Sequence, residues 1–185
     1  SVASGPTVET CGNTVLEALK ILDKYRLWGT LPEGMKMVLE KGANKPRTTT
    51  RTDRPRIEII GHNRLLCRIL VGKLAEIGYN TIFLGSTITG EAKETGRLMA
   101  DLAREIRESG NPVEMPAAIV SGGETVVTFK EDGDGKGGPN QEVALSFAIH
   151  AAGLEETTLV SIDTDGYDGP TPFAGAAADG HTLER

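Results

Sequence analysis

Aromatic residues make up only 4% of this chain, so its core has to be assembled from Val, Ile, Leu and Ala. Cysteine is nearly missing as well. Cys11 and Cys67 stand alone, without the paired spacing of a metal site. A single disulfide between them is an open alternative, but free thiols in a reducing cytosol are the favoured reading, which places the protein in the cytoplasm. No apolar run approaches the length of a membrane-spanning helix. Basic charge is in deficit: the net charge of −6 argues against a general nucleic-acid binder, which needs a basic face. Ser1-Val2-Ala3-Ser4-Gly5-Pro6 has neither the basic start nor the apolar middle of a signal peptide. The chain does not open on Met and reaches Arg185 without a closing element, so it reads as an internal piece of something longer.

What is present is enough for a packed core: 38% apolar and 25% charged residues over 185 positions suit one large or two small domains. Thr14 with Glu17 fits a capping box for a helix reaching Tyr25, and a short helix is expected over Glu33–Glu40. Residues 43–56, with Lys45, Arg47, Arg51, Arg54 and Arg56, read as a solvated linker. Ile57–Ile60 reads as a buried strand. Asn63 then caps a helix with Leu65, Leu66, Ile69, Leu70, Leu74 and Ile77 on its apolar face, stopped by Gly78. Thr81–Gly85 is a strand. The helix opening at Thr89-Gly90-Glu91 carries Leu98, Met99, Leu102 and Ile106 inside and ends before Gly110. This β-α-β-α order implies parallel strands covered by helices.

Beyond Pro112 and Pro116 the rhythm changes. Ala117–Val120, a glycine turn and Thr125–Phe129 predict a hairpin. A second glycine loop leads to Pro139 at the first position of a helix holding Val143, Leu145, Phe147 and Ile149, with Gly153 after it. Thr158–Ile162 is a strand that empties into Asp163-Thr164-Asp165-Gly166-Tyr167-Asp168-Gly169-Pro170-Thr171.

The chemistry concentrates in three stretches. Ser121-Gly122-Gly123-Glu124-Thr125 and Gly135-Lys136-Gly137-Gly138 can turn backbone N–H groups towards phosphates, the second at a helix N-terminus. Gly133, Gly135 and Gly138 also form a G-x-G-x-x-G, with Asp163 about 20 residues or a little more beyond it, as a dinucleotide fingerprint requires. The intervening Lys130-Glu131-Asp132 and the expected hairpin speak against that use, and a plain helix-entry loop is an equal competitor. Asn140, Gln141 and Glu142 fill the first helical turn, within reach of a sugar hydroxyl, a phosphate or a metal-bound water. Asp163, Asp165 and Asp168 sit after the end of a strand, where open α/β sheets bind ligands, and hard carboxylates so spaced suit Mg²⁺. The competing reading is a run of Asx turns.

Taken together, Ser4-Gly5-Pro6-Thr7, Gly90-Glu91-Ala92, Ser121–Thr125, Gly137–Glu142, Asp163–Thr171 and Ala174-Gly175-Ala176 are collinear pieces by which the chain resembles the glycerate 2-kinase family, whose second half is called the MOFRL domain. It departs from many members at Pro139, where they carry Arg. The resemblance implies an α/β fold: residues 1–114 as the C-terminal part of a parallel-sheet, Rossmann-like first domain, and 115–185 as the front of a second α/β, MOFRL domain. It implies ATP-dependent phosphorylation of D-glycerate to 2-phosphoglycerate with Mg²⁺, in the cleft between the domains. Asp165, Asp168 and Glu142 are the catalytic candidates, and Asp165 and Asp168 the candidate metal ligands. Ser121, Gly122, Gly123, Glu124, Gly135, Gly137, Gly138, Asn140 and Gln141 are candidates for the nucleotide. Ser4, Gly5, Thr7 and Thr164 are candidates for glycerate. A homodimer is compatible with this; nucleic acid and membrane are not expected partners. Members are often labelled hydroxypyruvate reductases, so an NAD(P)H-dependent reductase is the named alternative. A nucleotide-binding fragment without turnover is the non-enzymatic one.

Overall fold

A computed structural model of the chain describes residues 14–43, 58–129 and 135–185. It separates into two compact units, residues 1–60 and 61–185. In the first, helices α1 (Thr14–Lys24) and α2 (Glu33–Ala43) are joined through a 3₁₀ turn at Trp28–Thr30. Gly42 lets α2 come against Val15, whose Cγ2 lies 3.0 Å from where a Cβ would stand. Of the cationic linker read as residues 43–56, Ala43 ends α2 and the rest lies outside the described residues.

The second unit runs α3 (Asn63–Glu76), β1 (Asn80–Glu91), α4 (Ala92–Ser109), β2 (Ala117–Val126), α5 (Pro139–His150), β3 (Thr158–Ile162), β4 (Gly175–Asp179) and a 3₁₀ turn at Thr182–Glu184. β1 and β2 are parallel, from Asn80 opposite Ala117 to Glu91 opposite Val126, with register shifts around Gly85. α4 is the crossover that a parallel pair requires. β3 and β4 pair antiparallel. The unit is therefore mixed α/β with a parallel sheet, as expected, but several elements differ from the sequence reading.

The hairpin between Ala117 and Phe129 does not form. β2 runs straight through Ser121-Gly122-Gly123-Glu124, and neither glycine has the positive φ that a turn would need. The reason is tertiary. A Cβ on Gly123 would stand 1.9 Å from the carbonyl oxygen of Ile88, and one on Gly122 would stand 2.3 Å from Asn63 Oδ1. The glycines let β1 and α3 close onto β2. Residues 58–60 are not a strand, and Ile59 and Ile60 are exposed. The cap of α3 is His62, not Asn63: His62 Nδ1 accepts from Leu65 N at 3.1 Å. Asn63 instead donates from Nδ2 to the Ser86 carbonyl at 3.1 Å and accepts the Cys67 thiol at 3.4 Å. Cys67 is the buried residue of α3, and its burial pushes the thiol pKa up. Leu65, Leu66, Ile69 and Leu70 are exposed.

The core lies between α4, α5 and β4. It consists of Met99, Ala100, Ala144, Phe147, Ala148, Ala151 and Ala178. Five of these seven are alanine, so the helices pack close rather than interleaving large side chains. Gly96 marks the closest point, where a Cβ would stand 2.3 Å from the carbonyl of Val143. Ser146 donates to the Lys93 carbonyl at 2.5 Å, and Arg104 donates to the His150 carbonyl at 2.6 Å. Leu145 and Ile149, two of the residues expected to make up the apolar content of α5, are exposed.

The turn after β4 is fastened to the loop before β3. Gly153 N donates to the Gly180 carbonyl at 2.8 Å. His181 stands between Glu155 and Glu184, with a ring nitrogen 3.0 Å from an oxygen of each. The hydrogen bond to Glu155, then that to Glu184, raises its pKa above the ordinary histidine value. A raised folded pKa contributes stability fully below the unfolded value and loses it as pH rises through the folded one. In an NMR titration the His181 ring should therefore titrate above about 6.5. A midpoint at or below that value would show that the two carboxylates do not hold it.

Candidate active site

α5 begins without a cap of its own. Gly138 occupies the N-cap position in extended backbone and has no side chain to offer, while Pro139 has no N–H to satisfy. The acceptor comes from the loop after β3. Asp168 Oδ1 accepts from Asn140 N at 3.0 Å and Asn140 Nδ2 at 3.1 Å, and Oδ2 accepts from Gln141 N at 2.8 Å and Gln141 Nε2 at 3.1 Å. Gln141 Nε2 also reaches Thr171 Oγ1 at 2.8 Å, and Asn140 Oδ1 accepts from Ser161 at 2.7 Å. Asp168 is fully buried. Burial alone would raise its pKa, but the backbone and side-chain donors of Asn140 and Gln141 outweigh it and hold the carboxyl below its ordinary value.

The glycines around this carboxylate are explained by it. A Cβ on Gly138 would stand 2.4 Å from Asp168 Cγ. Gly169, at φ +60°, would place one 2.2 Å from the carbonyl of Gly137. The helix-dipole site expected to take a phosphate is filled by the chain's own anion. Gly135 and Gly137 differ: a Cβ on either would meet nothing within 4 Å, and Lys136 between them is exposed.

Asp163, Thr164 and Asp165 are exposed. Asp165 Oδ1 accepts from Tyr167 N at 3.0 Å, and Asp165 N donates to Asp163 Oδ1 at 3.5 Å, while Gly166 takes φ +92°. These are the Asx turns of the competing reading, yet they use only one oxygen of Asp165. The Glu142 carboxylate is half-buried at the first turn of α5 and has no hydrogen bond or ion pair among the described residues. Glu124 is exposed on β2 opposite Thr89, and Ser121 is exposed opposite Gly85. Ser4, Gly5, Thr7 and Gly133 lie outside the described residues. Among the described residues no three His, Cys, Asp or Glu side chains converge to hold a metal. Mg²⁺ does not demand such a cage, since one or two carboxylates with substrate phosphates serve it. Asp165, exposed and with a free oxygen, fits that donor set. Asp168, with both oxygens taken, does not.

Sequence reasoning placed Asn140, Gln141 and Asp168 in the site but not in contact. The available signal was a proline at the first helical position with only glycine before it, which calls for an acceptor from elsewhere. Ser161 and Thr171 carried no signal of their own.

Residues 117–185 match the model of the MOFRL family. A protein of Pyrococcus horikoshii named glycerate 2-kinase is 38% identical over 188 aligned positions, covering 100% of this chain and 42% of that protein. A protein of Agrobacterium vitis bearing a hydroxypyruvate reductase name is 35% identical, over 95% of this chain and 39% of its own length. The crystal structure of glycerate kinase from Thermotoga maritima superposes with a TM-score of 0.71 at 36% identity, over 92% of this chain and 39% of that one. The chain thus spans less than half the length of the relatives it matches.

Proposed function

We propose that this chain, whose residues 117–185 match the model of the MOFRL family and which is similar over its whole length to part of proteins named glycerate 2-kinase, is part of an enzyme that phosphorylates D-glycerate with ATP. The relation along the entire chain, rather than over one motif, carries this reading. The product proposed is 2-phosphoglycerate, with Mg²⁺ as the metal. The reaction forms a bond from a glycerate hydroxyl oxygen to the γ-phosphorus, breaks the bond to the ADP oxygen and passes the hydroxyl proton to a base. Bound Mg²⁺ would neutralise phosphate charge, and positioning does most of the remainder. Asp165 is the carboxylate suited to the metal or to the proton, and Glu142 is a second free acid. The Gly135-Lys136-Gly137 stretch, where a Cβ on either glycine would meet nothing within 4 Å, is suited to nucleotide phosphates. Ser121 and Glu124, exposed on β2, are further candidates for the nucleotide, and Thr164 is a candidate for glycerate. The division near Glu114 is proposed for the intact protein; it falls inside the second unit described here. No helix among the described residues is long and apolar enough to cross a membrane. A cytoplasmic site and a homodimer complete the proposal.

One observation weighs against the reductase alternative. A dinucleotide pyrophosphate needs the helix N-terminus after Gly138, and Asp168 already accepts from the N–H groups of Asn140 and Gln141 there. The full-length protein should release ADP only when glycerate and Mg·ATP are both supplied. Oxidation of NADH by hydroxypyruvate without ATP would overturn the kinase reading, and nucleotide binding without turnover would leave the non-catalytic one. Asp165→Asn should lower turnover about a hundredfold with its thermal midpoint nearly unchanged, the loss expected of a positioned proton or charge group. Turnover unaffected by that change would assign the loop to turn structure.

A further inference from the structure

We infer that Asp168 is a positioning residue, which ties the acid-bearing loop after β3 to the first turn of α5 and thereby sets Asp165 and Glu142 relative to the Gly135–Gly137 stretch. The inference rests on the kinase reading for its catalytic consequence. Its structural part stands on the geometry alone.

Three observations bear on it. The carboxylate is fully buried, and all four of its donors come from two consecutive residues, Asn140 and Gln141. A side chain so enclosed has no lone pair facing solvent, so a metal or a substrate hydroxyl would have to displace helix amides to reach it. Those donors immediately precede Glu142, whose own N–H continues the helix to the Gly138 carbonyl at 3.0 Å. The acidic loop is gripped on its other side too. Asp168 N donates to the Phe173 carbonyl at 2.7 Å, Asp163 N donates to the Ala174 carbonyl at 2.6 Å, and Thr171 Oγ1 donates to the Asp168 carbonyl at 2.8 Å while accepting Gln141 Nε2. One buried charge therefore closes a ring: β3, the acidic loop, the entry to β4 and the start of α5. Gly138 and Gly169 are the residues that let it close, because each would otherwise place a Cβ inside the other loop.

The role is distinct from metal ligation and predicts a different signature. A ligand lost from Mg²⁺ shows as a higher metal requirement. A positioning residue lost shows as slower turnover at unchanged metal requirement, because displacement of reacting groups by about an ångström costs on the order of a hundredfold. The test uses the full-length protein, its Asp168→Asn variant and a milder Gln141→Met variant, which removes one of the carboxylate's four donors together with the bond to Thr171 and leaves the carboxylate in place. Each is titrated with Mg²⁺ at saturating ATP and glycerate, and amide exchange is followed at Asn140 and Gln141. Asp168→Asn should lower kcat about a hundredfold, and Gln141→Met about tenfold, with half-saturating Mg²⁺ unchanged within about twofold. Both amides should exchange slowly in the wild type and quickly in Asp168→Asn. If Asp168→Asn does not fold, the kcat of Gln141→Met decides.

A rise of about tenfold or more in half-saturating Mg²⁺ for Asp168→Asn, with Gln141→Met at the wild-type rate, would overturn the inference and make Asp168 a ligand. Wild-type kcat in both variants would overturn it as well. A wild type with no glycerate-dependent turnover would bring down the kinase reading instead. In that event slow exchange at Asn140 and Gln141, lost in Asp168→Asn, still upholds the tie, and fast exchange in the wild type refutes it.

Discussion

Gly123→Ala should cost the second unit about 3 kcal/mol, the upper range for forcing atoms into a filled interior. The three atoms nearest the added methyl would all be main chain of Ile88: O at 1.9 Å, N at 2.5 Å and C at 2.6 Å. No rotamer relieves a clash with main chain, so β1 and β2 would have to part at this level of the parallel ladder. Gly122→Ala should cost less, because its obstacle is the Asn63 side chain, which can swing away at the expense of its bond to Ser86. Gly135→Ala, in open space, should stay within about 0.5 kcal/mol of the wild type. Urea midpoints of the three variants measure the series. A wild-type midpoint for Gly123→Ala would mean that the strands do not meet in the register Ile88–Gly123.

Asp168→Ala should be comparably severe, at about 3 kcal/mol, since it removes charge-assisted bonds and strands the part-buried N–H groups of Asn140 and Gln141. The effect has a pH signature. The folded pKa of Asp168 is depressed. Its contribution is thus present above the unfolded carboxyl value, about 3.9, and is lost as pH falls through the lower folded value. Denaturant midpoints taken from neutral to strongly acid pH should show the wild type falling towards Asp168→Asn below about pH 4. Parallel curves for the two proteins across that window would remove Asp168 as the source of acid sensitivity.

The helices of the second unit were legible because their signals are local. Gly78, Gly110 and Gly153 stand just past helix ends at positive φ, as their place in the pattern required. Pro139 opens α5 for an equally local reason, whereas Thr89-Gly90-Glu91, expected to open a helix, ends β1 instead. α4 begins at Ala92, and the Glu91 carboxylate accepts from Thr128, remote in the chain, rather than capping it. The strands were harder. Gly122-Gly123 looks like a turn in sequence, and only the closeness of Ile88 and Asn63 makes it strand. Gly175-Ala176-Ala177-Ala178-Asp179 has no β-branched residue to announce a strand, and β4 exists because β3 lies beside it. The acidic loop was recognised as chemical, but Asp168 could not be told from Asp165 by residue type or spacing. Their difference is that a helix N-terminus, remote in the chain, faces one of them and not the other.

The seam between α4 and α5 has a consequence for descent. Gly96, Ala100, Ala144, Ala148 and Ala151 together set one distance, the separation of two helix axes, and none of them sets it alone. A methyl gained at Gly96 would force α5 outwards and leave the opposite alanines facing a gap that only larger neighbours could fill. What selection can preserve or revise here is the spacing, so lineages that widen it should exchange several of these positions as a block, and lineages that keep it should vary little at any of them.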